Sequence, residues 1–197
     1  MAYSAKNYSH LIGLTGFSDT LLTNHFTLYE GYVKNTNALS DRLKALVEKG
    51  EFSTPEFAEL KRRFGWEWNG MRLHELYFDA MTKDTSVLAN GSLREQLIAA
   101  YGSIENWEKN FVSTGAMRGI GWVILVGDEA TGKLYNIWVN EHDGGHLVGA
   151  KPLLVMDVFE HAFVLDYGLK RADYITAFMR AVDWATVEKR FTAKTAG

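Results

Sequence analysis

Gly119-Ile-Gly-Trp-Val-Ile-Leu-Val126, then Gly127-Asp-Glu-Ala-Thr-Gly132, then Leu134-Tyr-Asn-Ile-Trp-Val139 is the stretch where the period of this chain changes. Two short β-rich runs flank a break rich in Gly and Asp, which is a hairpin signal. A third short apolar run, Leu153 to Met156, follows. Upstream the pattern is helical, with apolar residues three and four apart between Ser18 and Leu60 and few Gly or Pro to interrupt them. Phe17-Ser18-Asp19 offers an N-cap, and Leu21, Leu22, His25, Leu28, Tyr29, Tyr32 and Val33 form one helical stripe. Asn37 to Lys49 reads as a second helical stretch, stopped by Gly50. Ser53-Thr54-Pro55-Glu56 marks a fresh start, with Pro at the first helical position, for a helix running through Trp66 and His74 to about Met81. Leu93 to Tyr101 and Ile104 to Thr114 read as two more helices, and Asp173 to Arg190 as a closing one. The polar stretch Thr82 to Ser92, centred on Asn90-Gly91, divides the chain into a helical N-terminal domain, residues 1–85, and a C-terminal domain, residues 86–197. The expected class is α+β: a helical hairpin followed by an α/β domain with a small three-stranded antiparallel sheet.

Composition narrows the chemistry. The 197 residues suffice for one large domain or two small ones sharing a core. There is no Cys, which excludes disulfides, thiolate metal sites, iron–sulfur clusters and a Cys nucleophile, so any metal must use His and carboxylate. With 21 basic against 24 acidic residues and a net charge of −3, the chain lacks the electrostatic footprint of a nucleic-acid binder. No window approaches 18 uninterrupted apolar residues, and Met1-Ala-Tyr-Ser-Ala-Lys6 lacks the basic and apolar regions of a signal peptide. A cytoplasmic protein with neither membrane nor nucleic-acid partner is expected.

Six His occur, at 10, 25, 74, 142, 146 and 161. Asp157-Val-Phe-Glu160-His161 places a carboxylate and an imidazole four apart directly after an apolar run, where they can converge on a metal or merely share a surface hydrogen bond. His25 and His74 both lie on apolar helical faces, His25 among Leu21, Leu28, Tyr29 and Tyr32, and His74 among Leu73, Tyr77 and Phe78. Taken singly, each reads first as a core His bonded to a backbone carbonyl. Together with Asp157 and His161 they supply three neutral imidazoles and one carboxylate, a complete set for a transition metal with a position left for water.

On these residues the chain resembles the iron/manganese superoxide dismutases. The stretch that carries the resemblance is Pro152-Leu-Leu-Val-Met-Asp157-Val-Phe-Glu160-His161-Ala-Phe-Val-Leu-Asp-Tyr167, continuing to Lys170-Arg171-Ala-Asp-Tyr174 and Val182-Asp-Trp184. Gly119-Ile-Gly121-Trp122, Gly102-Ser103, Asn69-Gly-Met-Arg-Leu-His74-Glu-Leu-Tyr-Phe78 and Tyr32-Val33-Lys-Asn-Thr-Asn37 extend it from about Leu21 to Phe191. The resemblance implies one Fe or Mn ion per subunit, with Fe preferred, held by His25, His74, Asp157 and His161 and completed by water or hydroxide. It implies Tyr32 as a gateway, His142 as the donor to metal-bound solvent where many members keep a Gln, Trp122 and Phe159 as pocket walls, and Glu160 reaching a partner's ligand His across a homodimer, with a tetramer as the further option. Arg171 and Tyr174 fall near the rim and interface, and Lys34 with Arg171 would draw in the anion.

Four departures from the family pattern matter. His25 precedes Tyr32 by seven residues rather than eight, and a gap-free alignment puts Asn24 at the ligand position. At about 100° per residue, seven steps return to within about 20° of the starting face, so a regular helix serves this chain. A His/Tyr pair that the family places across the dimer corresponds here to Leu28 or Tyr29 and to Val164. His142 replaces the Gln, the alternative being an exposed loop His beside Gly144-Gly145, and Ile124 replaces a strand Trp. The function implied is disproportionation of superoxide to dioxygen and hydrogen peroxide. The alternative is a catalytically weak or metal-poor dimeric homologue with a structural or regulatory role.

Overall fold

The computed structural model describes residues 2–84 and 86–193. Helix α1 (Asp19–Glu48) starts where Ser18 accepts a hydrogen bond from the Leu21 N–H, and α2 (Pro55–Asp79) starts where Thr54 accepts one from the Phe57 N–H. Each side-chain oxygen satisfies one of the orphan donors of a first helical turn. Helix α1 is one 30-residue helix, not the two stretches expected on either side of Asn37. Lys34-Asn35-Thr36 contains no breaker, and Thr36 is fully buried, so tertiary contact carries the helix through that polar patch. The two helices pack side by side as a hairpin.

After α3 (Ser92–Tyr101) and α4 (Ile104–Gly115), strands β1 (Gly121–Asp128), β2 (Leu134–Asn140) and β3 (Ala150–Asp157) form an antiparallel sheet in the order β2-β1-β3. The central strand β1 is buried on both faces from Trp122 to Leu125, which explains its continuous rather than alternating apolar run. β3 pairs with β1 through Leu125 with Leu154 and then Val126 with Pro152, a bulge that accommodates a proline unable to donate to the ladder.

A 3-10 turn (Glu160–Ala162) leads from β3 into α5 (Val164–Tyr167), α6 (Arg171–Ala181) and α7 (Trp184–Thr192). The single closing helix expected over Asp173 to Arg190 is broken at Val182-Asp183, where Val182 bridges to Met81 and the Asp183 side chain accepts from the Ala185 N–H. Helix α2 lies against β3, so the C-terminal half of α2 and the end of β3 face one another beside α1. The expected domain boundary falls at residue 85, outside the described residues. No helix among the described residues is long and apolar enough to cross a membrane.

Candidate metal centre

His25 from α1, His74 from α2, Asp157 from the end of β3 and His161 from the following 3-10 turn converge, each offering a donor atom within 4.8 Å of every other. The convergence is on one atom. The Nε2 atoms of His25, His74 and His161 lie 3.2, 3.6 and 3.0 Å from Asp157 Oδ2. The other carboxylate oxygen is fixed from behind, because the Phe159 N–H donates to Asp157 Oδ1 at 2.8 Å, and the Tyr174 hydroxyl donates to the Asp157 carbonyl at 2.6 Å. His74 Nδ1 lies 2.6 Å from the Gly70 carbonyl, which can only accept, so Nδ1 carries the proton and Nε2 presents its lone pair to the centre.

That lone pair has no hydrogen-bond partner although it is buried. A buried acceptor left unsatisfied is costly. A cation among the four donors removes the cost. Burial pushes His25 below its usual range and His74 well below it, so both rings are neutral and fit to ligate. For Asp157, burial acts upward, but the His161 and His25 rings outweigh it and hold the carboxyl far below the carboxylate range. Three neutral imidazoles and one carboxylate fit iron or manganese and leave the site net positive.

Beyond the donors lies a second, smaller constellation. His142 is fully buried, and Trp122 Nε1–H donates to its Nδ1 at 3.0 Å. An indole N–H only donates, so the neutral His142 ring carries its proton on Nε2, which donates to the Tyr32 hydroxyl oxygen at 2.7 Å. Burial lowers His142 to about 4, which keeps it in that neutral form. Burial, and then the charge of Asp157, raise Tyr32, which therefore keeps its own proton. The Tyr32 ring stacks on His74 at 5.1 Å, and that approach needs Gly70, where a Cβ would come within 2.6 Å of Tyr32 Cδ1. Trp122 stands edge-on to His74 at 5.0 Å, and the Phe159 ring stacks between His142 and His161 at 4.7 and 5.1 Å.

The remaining sequence-derived positions fall as follows. Glu160 is exposed on the 3-10 turn, and the His161 side chain is 29% exposed, the most open of the four donors. Arg171 donates to the carbonyls of Met117 and Gly119, both at 2.7 Å, so its guanidinium is engaged by the backbone ahead of β1. Lys34 is exposed. Of the two positions corresponding to the family's lost His, Leu28 is half-buried, and Tyr29 is buried and donates to Glu75 at 3.0 Å. Asn24 is exposed while His25 is buried, so the shortened spacing brings His25, not Asn24, to the donors.

Sequence reasoning missed Trp66, Gly70 and Glu141. Trp66 lies 4.5 Å from the His142 ring and 5.5 Å from Tyr32, adding an aromatic wall from α2. Gly70 carried a legible signal, an isolated glycine inside a helical pattern. Glu141 carried none.

Residues 89–190 match the family described as iron/manganese superoxide dismutases, C-terminal domain. The chain is 36% identical over 185 residues to an iron superoxide dismutase of Cupriavidus metallidurans, covering 91% of each. It is 35% identical over 175 residues to manganese superoxide dismutase 2 of Haloferax volcanii, covering 88% of this chain and 86% of the relative. An iron enzyme of Saccharolobus solfataricus is 32% identical over 167 residues, covering 82% of this chain and 79% of the relative. Relatives named for either metal therefore align with most of a chain whose three imidazoles and one carboxylate already meet at a point, and the chain belongs to the iron/manganese superoxide dismutases.

Proposed function

We propose that this chain disproportionates superoxide to dioxygen and hydrogen peroxide at one iron or manganese ion per subunit held by His25, His74, Asp157 and His161. The observation that carries the reading is the meeting of three imidazole Nε2 atoms at Asp157 Oδ2. A bound ion would supply the one-electron couple by which one superoxide is oxidised and the next reduced. Every other part of the chemistry belongs to the chain. With an ion bound to one carboxylate and three neutral imidazoles the site would carry net positive charge and attract a small anion, and Trp122, Phe159, Trp66 and Tyr32 wall it. Peroxide formation consumes two protons. The Tyr32 oxygen accepts from His142 Nε2–H, which orients the hydroxyl and leaves its own hydrogen free to point into the pocket, and the proton that the hydroxyl gives up returns from solvent.

Both metals suit this donor set, and relatives carry either name. Iron is the first ion to test, because His142 stands where the family commonly places Gln. The division at residue 85 belongs to the same proposal: the helical hairpin brings two donors, the α/β part the other two. So does a homodimer. Val164, Leu165 and Leu169 are exposed beside the half-open His161, and Arg171, lying over the Phe163 ring, holds the backbone at the exposed Met117 and at Gly119. A second copy would cover this apolar face and set the exposed Glu160 against its neighbour's His161.

Nothing at the centre favours the metal-poor alternative, since all four donors are present and convergent. The test is metal analysis together with inhibition of superoxide-driven cytochrome c reduction, on iron-loaded and manganese-loaded protein. Near one ion per chain with inhibition is the expected result. Neither metal nor inhibition would overturn the reading.

A further inference from the structure

We infer that Glu141 is a positioning residue for His142, holding it through a left-handed turn that Trp66 clamps. The inference rests on the reading of His142 as the group behind the Tyr32 hydroxyl.

Glu141, with φ of +49°, is the one non-glycine residue among those described that adopts a positive φ. A side chain with a Cβ resists that conformation, and it persists only where the surroundings over-determine it. They do so here from four directions. Trp66 Nε1–H donates to Glu141 Oε2 at 3.0 Å, and the Glu141 N–H donates to the Ile120 carbonyl at 3.3 Å. On one side Asn140 exchanges backbone hydrogen bonds with Gly144 at 2.6 and 3.1 Å. On the other, His146 Nε2–H donates to the His142 carbonyl at 2.9 Å. The loop also sits so close on β1 that a Cβ at Gly121 would fall 2.0 Å from the Val139 carbonyl oxygen and 3.1 Å from the Glu141 nitrogen.

The consequence is directional. Asn140, Glu141 and Asp143 are exposed, yet His142 between them is fully buried, its ring held by the Trp122 N–H and the Tyr32 hydroxyl. A left-handed residue just before His142 is what swings that one side chain inward. Trp66 serves both ends of the device. Its N–H holds the Glu141 carboxylate while its ring lies edge-on to His142 at 4.5 Å. Arg63 covers Trp66 at 3.9 Å and pairs with Glu67, which fixes the indole from outside.

The test uses full-length Glu141→Ala, which keeps the strained backbone and loses the acceptor, Glu141→Gln, which keeps an acceptor oxygen, and Trp66→Phe, which keeps a ring and loses the donor. Glu141→Ala and Trp66→Phe each lower kcat about tenfold at native metal content. In metal-free protein each converts the His142 ring ¹⁵N signals from the single Nε2–H tautomer to a mixture. The double variant falls no further than either single, because both remove one contact, and Glu141→Gln rescues the tautomer and the rate. Should Trp66→Phe fold poorly, the contrast of Glu141→Ala with Glu141→Gln decides alone. An unchanged tautomer and rate in Glu141→Ala, or multiplying effects in the double variant, would overturn the inference. If the native protein itself proved inactive with metal bound, the functional reading would fail, and the His142 spectra would still judge the clamp.

Discussion

His25 and Tyr32 stand seven residues apart on one unbroken helix, and both side chains are buried against His74. Seven steps of about 100° bring the two onto nearly one face. The shortened spacing is therefore not a defect of the site, and the residue that a gap-free alignment would choose, Asn24, points to solvent. Replacing His25 by Ala is expected to abolish stoichiometric metal binding, whereas Asn24→Ala retains it. Metal analysis of the two purified proteins checks this, and full metal content in His25→Ala would refute the assignment.

Tyr32 is not one of the four donors: its hydroxyl accepts from His142 and its ring stacks on His74. Tyr32→Phe should keep the metal and the stacking on His74 while lowering kcat by about 10- to 100-fold through loss of the proton donor. Stopped-flow decay of superoxide measures it.

Gly70 leaves the Tyr32 ring only the space that a hydrogen needs, a Cβ there falling 2.6 Å from Cδ1. Gly70→Ala must displace that ring or open the two helices, so it costs about 1–3 kcal/mol, more than the gain expected from removing a helical glycine. Urea denaturation gives the number. A stabilised variant with native activity would show that the ring has room.

His142 is held to about 4, below the usual 6.5, by burial. Between those values the unfolded chain binds a proton that the folded chain does not, so this contribution to stability is complete above pH 6.5 and is lost as pH falls toward 4. His25 and His74 are shifted in the same direction. Metal-free protein should thus unfold at progressively lower urea from pH 7 to pH 4.5. His142→Gln should flatten that slope by roughly 1.4 kcal/mol per pH unit, one proton's worth. Equal slopes would mean that His142 titrates normally in the folded protein.

The exposed Leu165, with Val164 and Leu169 alongside, gives the dimer its own test. Leu165→Glu places a charge on that face and is expected to yield monomers by sedimentation, with the His161 side opened to solvent. A native protein that sediments as a monomer would remove the dimer from the proposal.

The helical half was legible because its cues are local: Ser18 and Thr54 cap where their sequence position suggests, and the stripe holding His25 and Tyr32 has the helical period. Two errors over helices, one in each half, have one cause. Thr36 sits mid-helix through burial, and Val182-Asp183 breaks the last helix by pairing with the end of α2, and neither contact is written within a few residues of either site. The sheet could be read as hairpin plus third run, but β3 joining β1 across a bulge at Pro152 depends on partners far along the chain. In the site, the donor residues announced themselves by residue type. Trp66 and Glu141 did not, because what they contribute is a wall and a backbone angle, and Gly70 showed only as a lone glycine inside a helical pattern.

His25 and Asp157 lie 132 residues apart in the chain. Two donors arrive with the first two helices and two only with the end of the last strand and the turn after it, so during synthesis the emerging N-terminal half carries only two of the four donors, His25 and His74. Loading must wait for the second half of the polypeptide to fold back onto the first. Contacts of such separation form late in folding, which makes acquisition of the cofactor a closing event in the protein's maturation rather than the seed around which it collapses.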